Sequence, residues 1–242
     1  MTPSFSELVP STLRLEDGSE VRYTLALPDE FDPGRPAPLV LALHYAWDGD
    51  IPTYFGMTFL IRLVVPAFEE LGAIIVAPDC PERDWHHPRS QRAIWAILEA
   101  VQSEYEIDRD RRLITGFSLG GTGTWYVAAE HPDTFSAAIP IATAPTVAPG
   151  DTTFRTEYRR LMDGGTVLWR ESLASTPFFV IHSRDDELIP FAPIARAVDS
   201  LAARGASIEF LAVSGRGHYE IETYVEPLAS AVAWVRRLWS GG

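Results

Sequence analysis

Seven strand-length runs, most of them wholly apolar and separated by longer amphipathic segments, constrain this chain more than any other feature. Residues 20–27 (EVRYTLAL) alternate apolar and polar side chains, the pattern of an antiparallel strand with one wet face. Residues 38–44 (PLVLALH) are almost entirely apolar, as are 72–77, 112–117, 136–142, 177–182 and 207–213, so each reads as a strand covered on both sides. Helical patterns lie between them at about 54–71, 89–105, 119–131, 191–204 and 222–239. Such alternation predicts an α/β fold: a mostly parallel central sheet with helices on both faces, entered through an antiparallel start. The length of 242 residues and an apolar share of 46% suit one domain with a sizeable core.

Charge narrows the function. At a net −13 the chain lacks the basic surface that neutralises phosphates, so neither nucleic acid nor an anionic membrane is an expected partner. The one cysteine, Cys80, cannot form an internal disulfide, and the first residues carry no basic start followed by an apolar run. No uninterrupted apolar stretch reaches transmembrane length. The expected location is the cytoplasm. The sequence leaves monomer and homo-oligomer equally open.

In open parallel sheets, ligands gather beyond the carboxyl ends of the strands. A serine, an acid and a histidine occur at those ends. Gly116-Phe117-Ser118-Leu119-Gly120 follows a strand and opens a helix. A serine on such a sharp turn has its hydroxyl exposed, and side chains two positions to either side would collide. The backbone N–H of Leu119 then faces the place where an oxyanion would form. Serine is a poor nucleophile without a base, and the base needs an acid to fix its tautomer. Asp185 and Asp186 follow the strand ending at His182, and His218 follows the last strand. Taken singly, each is equally a solvated loop residue; together they stand in the order serine, acid, histidine.

Thr115 to Trp125 (TGFSLGGTGTW) resembles the nucleophile segment of α/β-hydrolase carboxylesterases. The closest group is the phospholipase/carboxylesterase and dienelactone-hydrolase-like set, with its prolyl-oligopeptidase-like esterase relatives. Ile181 to Pro190 (IHSRDDELIP) resembles that family's acid segment. The resemblance implies an α/β-hydrolase fold and a serine esterase. Its triad is Ser118, Asp186 and His218, with Asp185 as the alternative acid, and it implies no cofactor and no metal. Leu39 to His44 resembles the strand leading to the oxyanion loop, where the family usually has His-Gly and this chain has His44-Tyr45. The second oxyanion donor is then the N–H of Ala46 or of Tyr45, or the Tyr45 hydroxyl, unless Tyr45 only walls the pocket.

Trp47, Tyr54 and Trp85 are candidate pocket aromatics, with core packing as the competing reading. His44 is expected to be structural, Cys80 and Trp125 to be packing, and the pair His86-His87 lacks metal-site spacing. Residues 145–173, with Arg155, Arg159 and Arg160, are a candidate cap or else a plain surface helix. The expected substrate is a small carboxylic ester. The alternatives are an amide or peptide bond cleaved by the same triad, or a small-molecule binder with little turnover. Ten acids against four arginines on the strand-end loops predict a negative mouth that favours neutral or cationic esters.

Overall fold

The computed structural model describes residues 5–29, 31–50, 52–147 and 154–241. Its strands are β1 (Phe5–Arg14), β2 (Glu20–Pro28), β3 (Ala37–Leu43), β4 (Ile74–Pro78), β5 (Ile107–Phe117), β6 (Ala137–Ile141), β7 (Phe178–Ser183) and β8 (Ile208–Val213). They form one sheet in the order β1-β2-β4-β3-β5-β6-β7-β8. β2 is antiparallel to both β1 and β4, and the pairings among β3 through β8 are all parallel. The expected α/β-hydrolase architecture is what the chain adopts.

Two strand features carried no apolar signal. β1 contains Pro10, which an edge strand tolerates because one side of its ladder needs no N–H. β5 begins five residues before its apolar run, and that first part (IDRDR) is polar and partly exposed.

The first helical run starts as α1 (Phe55–Phe59), widens into a π-helical turn at Leu60–Val64 and continues as α2 (Val65–Phe68). Pro66 accounts for the widening: it has no N–H for the Arg62 carbonyl four residues back, and its ring crowds that carbonyl. The Val65 N–H bonds to the Leu60 oxygen instead, five residues back. The later helices are α3 (Pro88–Glu104), α4 (Leu119–Glu130), α5 (Phe154–Met162), α6 (Phe191–Ala202), α7 (Val225–Ser230) and α8 (Val232–Ser240).

Strand periodicity divides the core in two. Leu39, Leu41 and Leu43 of β3 join one cluster with Trp85, Ile94 and Trp125. Val40 and Ala42 point the other way, into a cluster with Phe59, Leu63 and Trp234. Trp125 is fully buried and stacks on Phe178 with centroids 4.3 Å apart, the packing role expected of it. With both faces filled, the free edge at the strand C-termini is where the loops after β3, β5, β7 and β8 meet.

Candidate active site

Ser118 joins β5 to α4 at φ 54°, ψ −114°, a conformation that costs a non-glycine residue on the order of 1–3 kcal/mol. The two flanking glycines make it possible. A Cβ on Gly120 would lie 1.8 Å from the Leu43 carbonyl oxygen, and one on Gly116 would lie 2.3 Å from the Gly120 oxygen. The Ser118 N–H is anchored on the Ile141 carbonyl of β6 at 2.9 Å, so neighbouring strands hold the strained residue in place.

The histidine loop reaches this serine. His218 Nε2 lies 2.8 Å from Ser118 Oγ, and its Nδ1 lies 2.8 Å from Asp186 Oδ2. The other Asp186 oxygen accepts the N–H groups of Leu188 (3.0 Å) and Ile189 (2.7 Å). Burial works against the charge on this carboxyl. The bonds from His218 and from the Ile189 N–H outweigh it and hold the pKa below the usual aspartate value. Asp185 is exposed and turns to the Gly215 N–H at 2.6 Å. Of the two adjacent acids, only Asp186 meets the histidine.

Sequence patterns gave no sign of several supporting groups. Glu187 accepts the His218 N–H at 2.9 Å. His182, buried beneath the acid loop, is bonded through Nε2 to the Ile189 carbonyl at 2.9 Å, and burial lowers its pKa. Tyr158 of α5 donates its hydroxyl to the Leu188 carbonyl at 3.0 Å. Such contacts join residues far apart in the chain and leave no local pattern.

On the other side of Ser118, the loop after β3 is fixed by His44. Its Nε2 accepts the Cys80 N–H at 2.9 Å, so the ring proton sits on Nδ1, 2.7 Å from the Tyr45 carbonyl. Burial pushes the His44 pKa down to about 4, so the ring is neutral and structural, as expected. A trans peptide directs the Ala46 N–H opposite to the Tyr45 carbonyl thus held. Among the described residues, neither the Ala46 N–H nor the Leu119 N–H donates to another group. The Tyr45 ring packs edge-on against Phe55 (5.0 Å), Phe59 (6.2 Å) and Phe117 (6.3 Å), and its hydroxyl accepts from Arg62 Nη1 at 2.9 Å.

One of the candidate pocket aromatics has a structural role instead. Trp85 is fully buried, with Nε1 donating to the His44 carbonyl at 3.0 Å, so it props the β3 loop from within. Tyr54 is half-buried, with its hydroxyl 3.2 Å from that of Thr12 on the edge strand β1. Trp47 is half-buried, edge-on to His44 and Phe55, with the Arg83 guanidinium 5.6 Å from its ring centre.

Cys80 is buried, bonded to the Glu82 carbonyl, and pushed up to about 12 by burial, which leaves an unreactive thiol. His86 pairs with Asp84 at 3.0 Å. No cluster of three or more His, Cys, Asp or Glu side chains among the described residues could hold a metal ion.

Two cations outside the ten-against-four count, Arg22 beside Asp79 and Arg62 beside Glu222, lessen the expected negative charge of the mouth without reversing its sign. Asp79 is buried and holds the Tyr54 and Gly56 N–H groups and Arg22. Glu82 pairs with Arg89, and Glu222 pairs with Arg62, a cation the sequence reading did not include. Of the arginines in the candidate cap, Arg160 pairs with Glu157 of its own helix at 3.6 Å. The first part of the proposed cap, residues 148–153, lies outside the described residues.

A profile of the prolyl oligopeptidase family matches residues 89–241, which hold all three residues of the serine–histidine–aspartate array. The chain belongs to the prolyl oligopeptidase family. Within α/β-hydrolase folds, this member is similar to a probable feruloyl esterase C of Aspergillus niger, 27% identical over 117 residues. It is also similar to feruloyl esterase C of Emericella nidulans, 28% identical over 117 residues. Each alignment covers 48% of this chain and 43% of the relative, so the match spans less than half the length of these curated relatives. Among solved structures, a thermostable esterase superposes with a TM-score of 0.71 at 24% identity, covering 97% of this chain and 64% of that one. A ferulic acid esterase superposes with a TM-score of 0.70 at 22% identity, covering 96% and 98%. These likenesses concern the fold. Among the described residues of this family member, no helix is long and apolar enough to cross a membrane.

Proposed function

We propose that this member of the prolyl oligopeptidase family is a serine hydrolase of carboxylic esters that works through an acyl-enzyme. One observation carries the reading: the His218 ring bridges the Ser118 hydroxyl and the Asp186 carboxylate at 2.8 Å on each side. In this account His218 Nε2 takes the Ser118 proton as Oγ attacks the ester carbonyl. The carboxylate of Asp186 holds the other ring nitrogen protonated and stabilises the imidazolium. The Leu119 and Ala46 N–H groups receive the oxyanion. His218 returns the proton to the departing alcohol, then activates water for the second half-reaction. The chemistry calls on no cofactor.

Esters of aromatic acids are the substrate class that the names of the relatives suggest. Half-buried Trp47 and exposed Tyr219, whose ring lies 5.6 Å from that of His218, support an aromatic acyl or alcohol group at the mouth. The name of the family favours peptide bonds as the second reading. We assign the whole chain to one domain with residues 145–173 as a small cap, which the Tyr158 bond to the acid loop supports. A cytoplasmic location accompanies this reading, since the only thiol is buried and free.

A panel of aryl esters of graded acyl size, a feruloyl ester among them, assayed beside peptide anilides tests the proposal. Ester turnover exceeding anilide turnover by at least about a hundredfold is expected. Anilide cleavage at equal or higher kcat/KM would give the role to peptide bonds.

A further inference from the structure

Tyr219 follows His218 and is 70% exposed, yet its ring stands edge-on to the His218 imidazole with centroids 5.6 Å apart. Leu188, two residues after Asp186, is 46% exposed, and Ile61, beside Arg62, is 55% exposed. Isolated apolar side chains on a surface are ordinary. Among the described residues, however, these three are the large apolar side chains left exposed. Each adjoins a residue bonded into the site: His218 itself, Glu187 on the His218 N–H, and Arg62 on Glu222.

The Tyr219 ring stands on a fixed loop. Asp185 accepts the Gly215 N–H at 2.6 Å, Glu220 accepts the Gly217 N–H at 3.1 Å, and Glu187 accepts the His218 N–H at 2.9 Å. The acid loop and the histidine loop abut so closely that a Cβ on Gly217 would lie 3.2 Å from the Glu187 oxygen that holds His218. On the acid loop, the Leu188 N–H donates to Asp186 and its carbonyl accepts from Tyr158. Three carboxylates on this side of the mouth are thus turned to the loop backbone, and the open apolar surface between them is that of Tyr219 and Leu188.

Acid catalysis fixes which part of an ester comes to that surface. His218 Nε2 must return its proton to the departing alcohol oxygen, so that oxygen lies within hydrogen-bond reach of the imidazole. The first carbons of the alcohol then lie beside the histidine loop, whereas the oxyanion is directed to the Leu119 and Ala46 N–H groups. We infer that Tyr219, with Leu188 on the adjoining loop, forms a leaving-group subsite for an uncharged aromatic alcohol, so that Tyr219 determines alcohol specificity and not acyl specificity. An aromatic alcohol covers the open ring face and gains an offset or edge contact with it. An anionic alcohol meets the charges of Asp185, Glu187 and Glu220. The inference rests on the hydrolase reading above and adds to it the side of the ester that the exposed ring receives.

Two ester series test this, one with the acyl group held constant and one with the alcohol held constant. Among acetates, benzyl acetate should exceed ethyl acetate in kcat/KM by about tenfold, as ring burial with one aromatic contact allows. Tyr219→Ala should lower that ratio by at least about fivefold, mainly through KM, and Tyr219→Phe should keep it, because the ring and not the hydroxyl is used. The ratio of methyl benzoate to methyl acetate, which varies the acyl side, should change by less than about twofold in Tyr219→Ala. An unchanged benzyl-to-ethyl ratio in Tyr219→Ala would overturn the inference, as would an acyl ratio that falls as far as the alcohol ratio. So would faster hydrolysis of glucose acetylated at its primary hydroxyl than of benzyl acetate, since the ring would then serve a polyol. Labelling of Ser118 by a fluorophosphonate separates the two levels. A parent protein that neither labels nor turns over esters removes the hydrolase reading and this one together, whereas normal labelling with unchanged ratios removes only the subsite.

Discussion

At the scale of single residues, the site depends on placing one hydroxyl, one imidazole and one carboxylate in line. Ser118 is held in a strained conformation by its own backbone bond to β6, so its position is set before substrate arrives. The two aspartates differ in surroundings more than in chemistry. Asp186 is buried with His218 Nδ1 and two N–H groups on its oxygens, and Asp185 is an exposed loop residue. Asp186→Asn should therefore lower kcat by about 10³- to 10⁴-fold, because an amide favours the wrong histidine tautomer. Asp185→Asn should change kcat by less than about threefold. Steady-state kinetics on purified variants checks both, and the reverse ranking would move the role to Asp185. Ser118, the Asp185-Asp186 pair and His218 stood out in the sequence because strand ends, glycine spacing and chain order are local features, and the choice of Asp186 came from the family resemblance. The bond from Tyr158 to the Leu188 carbonyl and the one from the His218 N–H to Glu187 were not legible there, since the fold alone creates those contacts.

At the scale of elements, the close approach of α4 to β3 shapes the elbow. Gly120 lets the start of α4 approach the Leu43 carbonyl more closely than any side chain allows. Gly120→Ala should destabilise the fold by at least about 3 kcal/mol, because the clash is with backbone that cannot turn aside. Urea unfolding measures this, and a loss below about 1 kcal/mol would mean that the approach is looser than described. The apolar strands and the long helices could be read from periodicity. β1 could not, having Pro10 and few apolar residues, and neither could the π-helical turn, whose cause is a single proline within an otherwise regular pattern. Trp85 was misplaced for a related reason: an aromatic residue on a strand-end loop fills the core or lines a pocket, and only the packing decides which.

At the scale of the whole molecule, stability and activity share the neutral His44. Its pKa is pushed from 6.5 to about 4 by burial, so between those values the unfolded chain binds a proton that the folded chain refuses. Stability from this group is complete above about pH 6.5 and lost as pH falls toward 4, on the order of 3 kcal/mol in all. Burial lowers the pKa of His182 and His131 too, and they act in the same direction. Unfolding free energies measured from pH 7 to pH 4 should fall accordingly, and His44→Asn should flatten the slope; a parent protein with no slope there would contradict the assignment. The central claim, that Ser118 is a nucleophile activated through His218 and Asp186, has a more direct test. The parent protein and Ser118→Ala are each treated with a fluorophosphonate, and the adduct is located by peptide mass spectrometry. The account predicts one adduct, on the peptide containing Ser118, formed by the parent and absent from the variant. An adduct at another residue, or ester turnover by Ser118→Ala near the parent rate, would contradict it.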